Sequence, residues 1–132
     1  MQPKTTLTIA SAIGLIFSSA MFLAPEFVTR EQFPNSEGQG FADLVTLRYL
    51  IASIILALVI ISYHLRDITG HAFQIHVMRG YTLAFGVVCI TNLALQLTGK
   101  ISAVPPIVGT GVIAVLSLLT WRRLVSRTKE EA

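Results

Sequence analysis

Apolar positions in this chain come in four long runs, not in the interrupted stripes of a soluble helix. The clearest run is Leu44 to Tyr63, LVTLRYLIASIILALVIISY, which holds a single charge, Arg48, near its start. At 1.5 Å rise per residue it reaches about 30 Å, the thickness of a bilayer's hydrocarbon core. Three similar runs lie around it, giving spans over 7–24, 44–63, 77–98 and 101–121. The pattern predicts an all-α, single-domain protein over residues 1–132: a membrane-spanning, antiparallel four-helix bundle.

The polar stretches between the runs set the connections. Pro25 to Asp43 is the longest, and its Pro34-Asn35-Ser36-Glu37-Gly38-Gln39-Gly40 segment is turn chemistry throughout, so 25–43 reads as a loop. Phe27, Val28 and Phe33 would let its first half lie along a membrane surface. A short amphiphilic link from Ile68 to Met78 carries His71 and His76. The third span closes before Gly99-Lys100, and Pro105-Pro106 falls in the first turn of the fourth, where missing amide donors cost little. Trp121-Arg122-Arg123 ends that span with an interfacial aromatic and two anchoring charges, leaving a charged, frayed tail to Ala132. The first run has a second reading. Lys4, the apolar core Leu7 to Phe17 and the small residues Ser18-Ser19-Ala20 also fit a signal peptide, although hydrophobicity continues past them through Met21, Phe22 and Leu23. Ala10, Gly14 and Ser18 recur every fourth residue and line one face where another helix can approach, within the bundle or from a second copy.

Composition agrees with the pattern: 53% of residues are hydrophobic and 13% charged, about half the charged share of a soluble globule. The formal charge of +3 is modest and is spread over helix ends, which argues for topology signals and against nucleic acid as a partner. Lys4, Arg66, Arg79, Arg122, Arg123, Arg127 and Lys129 fall on one side of the bundle, against Arg30, Arg48 and Lys100 on the other. By the positive-inside rule both termini are cytoplasmic, in an inner (plasma) membrane. A single cysteine, Cys89, excludes an intrachain disulfide.

Candidate chemistry is sparse. Arg48 comes first, because an ionisable residue within a span is a functional hypothesis by default. It sits about 6 Å inside its run at 1.5 Å per residue, so it can snorkel to the headgroups or pair with Glu37 or Glu26. The alternative is a cationic floor to an outward-facing cavity, receiving an acidic head group or a polarised carbonyl. On the third span Thr82, Phe85, Cys89, Asn92 and Gln96 share one face by their three-and-four spacing. Amides facing lipid would be costly, so this face points inward, either to bond neighbouring helices or to join Arg48 in a small polar pocket. Arg48, Asn92 and Gln96 are therefore the candidate ligand-binding set. His64, His71 and His76 gather at the other end; His64 and His76 are weak metal or haem candidates without a recognised ligand spacing.

All seven carboxylates lie outside the spans, which disfavours a proton-coupled exporter. No phosphate loop, nucleophile elbow or histidine–glutamate zinc motif is present, so neither a catalytic set nor a cofactor is expected.

The layout resembles small bacterial four-helix membrane proteins of the loosely DoxX-like kind. The resemblance rests on a second helix opening Asp43-Leu44 … Leu47-Arg48-Tyr49, a histidine- and arginine-bearing turn from His64 to Arg79, a Gly99-Lys100 … Pro105-Pro106 link and the basic ending Arg122-Arg123. It implies the four-helix fold and carries over no catalytic residue. Glutathione-transferring four-helix membrane enzymes share the size and topology, but they would want a paired Arg, Asn and Glu on the second helix, where this chain has Arg48 alone. Two functions are expected from these features. One is a non-enzymatic accessory bundle that binds a partner subunit or forms a homo-oligomer. The other is a pocket for a lipid, quinone or other amphiphile near the outer leaflet, with redox chemistry in the quinone case.

Overall fold

The computed structural model describes residues 2–130 as five helices: α1 (Pro3–Leu23), α2 (Pro25–Gln32), α3 (Gly38–Leu65), α4 (His71–Leu97) and α5 (Val104–Glu130). Among the described residues, α1, α3, α4 and α5 are long and apolar enough to cross a membrane. They alternate in direction, so both ends of the described chain lie at one end of the bundle, here the terminal end, with α2 and the α4–α5 link at the other.

Three boundaries depart from the hydrophobic pattern. The 25–43 connection is not a loop throughout. Pro25 at the first helical position, Glu26 in the first turn and Arg30 in the last form α2, each suited to its place in the helix dipole. After a turn at Pro34-Asn35, Gly38 adopts φ +58° and α3 begins six residues before the apolar run does. On α4, Gly70 precedes a helix that starts at His71, and Gln74 Nε2 bonds the Ile68 carbonyl at 2.7 Å, so the link between spans is short. The basic tail is helical to Glu130 because its apolar side is buried: Leu124 packs with Leu7 and Met78, and His71 Nε2 meets Thr128 Oγ1 at 2.9 Å. The end of α4 follows the predicted stop. Gly99 takes φ +69°, with its N–H on the Gln96 carbonyl and the Lys100 N–H on the Leu95 carbonyl, both at 3.0 Å, a Schellman arrangement.

Lateral packing differs from a closed bundle of sequential neighbours. The extensive contacts are α1 with α3 and α4 with α5; α1 also touches α5, while α3 and α4 do not pack along one another. The lateral order is therefore α3–α1–α5–α4. Small residues explain the close α1–α3 pair. Ser18 Oγ donates to the Ala52 carbonyl at 3.0 Å, and a Cβ added to Gly14 would come within 2.6 Å of Val59 Cγ2. The Ala10–Gly14–Ser18 face is thus used inside the bundle.

At the terminal end the halves are joined. Thr6 and Thr120 hydroxyls lie 2.7 Å apart, Ser62 Oγ bonds Tyr81 Oη across α3 and α4, and Leu7, Met78 and Leu124 form an apolar cluster. Lys4 Nζ pairs with Asp67 at 2.9 Å in the α3–α4 link. Hydrogen bonding from Lys4, with a smaller share from Arg66, holds the Asp67 carboxyl below the usual carboxylate range. At the other end the Ser102 N–H donates to the Gln32 carbonyl at 3.0 Å, tying α2 to the start of α5.

Candidate functional site

Where α3 and α4 stand apart, a cavity of about 300 Å³ runs down the bundle, backed by α1 and α5. From α3 it is lined by residues between Arg48 and Ser62, about 21 Å of helix at 1.5 Å per residue, so it is a slot and not a round pocket. The walls are apolar over most of that length: Ile13 and Phe17 of α1, Ile51 and Ile55 of α3, Phe85 of α4 and Ile113 of α5. Leu58 and Val88, on the facing edges of α3 and α4, line it while remaining 48% and 44% exposed, so the slot reaches the bundle surface between these helices. Gly109 keeps one wall thin: an added Cβ there would meet the Phe17 ring at 2.6 Å.

Polar side chains are unevenly placed along the slot. Gln32, Arg48 and Asn92 line its α2 end. Ser62 lies at the terminal end, where its hydroxyl is engaged by the Leu58 carbonyl and Tyr81. Thr110 Oγ1 is likewise occupied, donating to the Pro106 carbonyl at 2.6 Å.

Arg48 is only 5% exposed. Its Nε donates to Thr29 Oγ1 at 3.3 Å, and the guanidinium lies over the Phe33 ring at 5.5 Å. Both partners come from the α2 region. Nη2 is buried without a hydrogen-bond partner. The expected carboxylate partners are not the ones used: the ion pairs among the described residues join Lys4 and Arg66 to Asp67, at the opposite end. The reason lies in α2. Folding of 25–32 turns Thr29 fully into the protein and leaves Glu26 exposed, and Glu37, beyond the turn, is exposed as well.

Of the predicted polar set, Arg48 and Asn92 come to the same cavity and Gln96 does not. Gln96 Oε1 accepts the Ala103 N–H at 2.5 Å, fixing the α4–α5 link. Asn92 Nδ2 donates to the Val88 carbonyl of its own helix at 2.9 Å. Higher on the same face Cys89 Sγ approaches the Ile107 carbonyl of α5 at 3.6 Å, and Thr82 Oγ1 returns to Met78, so these serve helix packing. Thr29, Gln32 and Phe33 were not candidates from sequence, because their segment read as loop. The Thr29–Gln32 pair one turn apart beside Pro25 was the available signal.

His64, His71 and His76 are all exposed, at the terminal end. His64 is exposed with its ring edge-on to Tyr63, and His71 bonds Thr128. Among the described residues no group of three or more His, Cys, Asp or Glu side chains is arranged to hold a metal ion.

No protein-family model, curated protein or solved structure matches this chain. The cavity itself is therefore the ground on which function is argued.

Proposed function

We propose that this protein binds a membrane amphiphile, a lipid or a quinone, in the slot between α3 and α4, with the polar end of the ligand at Arg48. The observation that carries this reading is a buried guanidinium, its Nη2 without a hydrogen-bond partner, lining the polar end of a mainly apolar cavity. A buried charge without a counter-charge is costly, more so at membrane depth, and a ligand oxygen there relieves it. The volume of about 300 Å³ is at the small end of the range for small-molecule sites, and an apolar slot with a few polar groups at one end is their usual construction.

The setting is the plasma membrane of a bacterium, with both chain ends cytoplasmic. Lys4, Arg66, Arg79, Arg122, Arg123 and Arg127 belong to the terminal end of the bundle, and Arg30 and Lys100 to the other, which supports this orientation. Arg48 then lies toward the outer leaflet. The likeness to DoxX-like proteins brings no reaction with it, and the function is binding without catalysis.

Native mass spectrometry of protein purified in mild detergent, with extraction of small molecules, tests the proposal. A bound amphiphile at one per chain is expected, lost in Arg48→Ala while the helical signal is kept. A chain that carries no small molecule across several mild detergents would overturn it. A co-purifying second polypeptide in its place would favour an accessory subunit.

A further inference from the structure

The chemistry of the slot's two ends narrows the ligand further, on the footing of the amphiphile reading above. We infer that the slot takes a single-chain amphiphile with an oxyanion head, a fatty-acid carboxylate or the phosphate of a one-chain phospholipid, its head on Arg48 and its chain toward Ser62.

Charge comes first. The guanidinium carries a full positive charge, and among the described residues no carboxylate lies within ion-pair distance of it. A quinone carbonyl can accept one hydrogen bond from it but leaves that charge unneutralised. An oxyanion does both, and its two oxygens match the planar fork of an arginine. The donors on hand agree. Thr29 takes Nε and Phe33 covers one face of the guanidinium, so the group is held in position by neutral partners while its Nη2 donor capacity is unspent.

The other end asks for nothing polar. Ser62 at that end and Thr110 part-way along have hydroxyls already bonded within the protein, and the intervening stretch of α3 carries Ile51, Ile55 and Val59. A saturated chain matches them. The slot's narrow volume and its length of about 21 Å along α3 suit one chain and not two. The uncovered edge at Leu58 and Val88 lets that chain arrive sideways from the bilayer, without passing the closed terminal end.

The test is competition for the wild-type protein in nanodiscs, using a stearate spin-labelled on its chain as the reporter. Palmitate should displace the label at least tenfold more effectively than hexadecanol, which has the same chain and no charge. Decylubiquinone should resemble hexadecanol. The preference for acid over alcohol should vanish in Arg48→Gln and persist in part in Arg48→Lys. Single-chain lysophosphatidate run beside palmitate identifies which oxyanion is favoured; either ranking above hexadecanol upholds the inference. If hexadecanol or decylubiquinone competes as well as both palmitate and lysophosphatidate, the oxyanion assignment falls while amphiphile binding stands. If the stearate does not bind and none of the four is retained, amphiphile binding itself falls. Should Arg48→Gln not fold, Ile55→Trp provides the check: it fills the slot, leaves Arg48 untouched, and should abolish stearate binding. Undiminished binding in Ile55→Trp would place the ligand elsewhere and overturn the inference.

Discussion

Among the described residues, two buried polar side chains carry an atom without a hydrogen-bond partner, and they differ in what their surroundings make of them. Arg48 is held by a hydroxyl and an aromatic face and lines the slot, a setting that a ligand can complete. Ser117 Oγ is fully buried on α5 with no partner and lines no cavity described above. A serine in a helix ordinarily returns its hydroxyl to the carbonyl four residues back, as Ser62 and Thr120 do here. Ser117 does not, so its hydroxyl contributes a desolvation cost and no bond. Ser117→Ala should therefore stabilise the protein by roughly 1 kcal/mol, since an unsatisfied buried polar group costs about 1–3 kcal/mol. Unfolding in a mild-detergent and SDS titration measures this directly, and a destabilised alanine variant would show that the hydroxyl is bonded after all.

At the scale of helices, the α1–α3 contact rests on absent side-chain atoms. Gly14 faces Val59 so closely that an added methyl would sit 2.6 Å from Cγ2. The clashing group belongs to a β-branched side chain with little rotamer freedom, so relief requires the helices to separate. Gly14→Ala should cost about 1–3 kcal/mol, the usual range for overpacking, and Val59→Ala in the same chain should return much of it. An additive double variant would mean that Gly14 is not in that contact. The four-residue recurrence of Ala10, Gly14 and Ser18 made this face visible in the sequence, because a helical period needs only the chain's own order. The partner helix was not visible. Choosing α3 over α5 or a second copy depends on how four apolar surfaces divide among themselves, and no local pattern encodes that. The same limit hid α2. Its eight residues are short and polar by composition, and only the docking of Thr29 under Arg48 and of Gln32 against Ser102 gives them a place. Arg48 stood out in the sequence as a charge inside a span, whereas its actual partners, Thr29 and Phe33, could be found only once α2 was known to fold. Gln96 shared a helical face with Asn92 and was drawn off by the Ala103 N–H, a competition between neighbours that periodicity cannot rank.

Considered as a whole, the molecule is two helix pairs, α1–α3 and α4–α5, whose outer helices α3 and α4 are fastened to each other directly at one end only. Lys4–Asp67, Thr6–Thr120, Ser62–Tyr81 and the Leu7–Met78–Leu124 cluster join the pairs at the terminal end. Toward the α2 end, α3 and α4 are linked only through α1, α2 and α5, and the slot lies between them. Movement of α3 against α4 is therefore held directly at the terminal end and, at the α2 end, only through Gln32–Ser102 and the α1–α5 contact, so their separation can vary more with distance from the fastening at Ser62 and Tyr81. The register fixed by Ser62 and Tyr81 sets Ile55 level with Val88, on opposite sides of the slot, in helices that run antiparallel. Spin labels at Leu58 and Val88, in a Cys89→Ser background, should accordingly report a broad distance distribution that narrows when an amphiphile occupies the slot. A second pair at Tyr63 and Arg79, close to the fastening, should keep one narrow distance under both conditions. Pulsed electron resonance in nanodiscs reads both pairs. If the two pairs broaden and narrow together, the terminal end is not a fixed point. If neither pair responds to an amphiphile that is shown to bind, the slot is rigid, and access must come through fluctuation of side chains such as Leu58 and Val88 without movement of the helices that carry them.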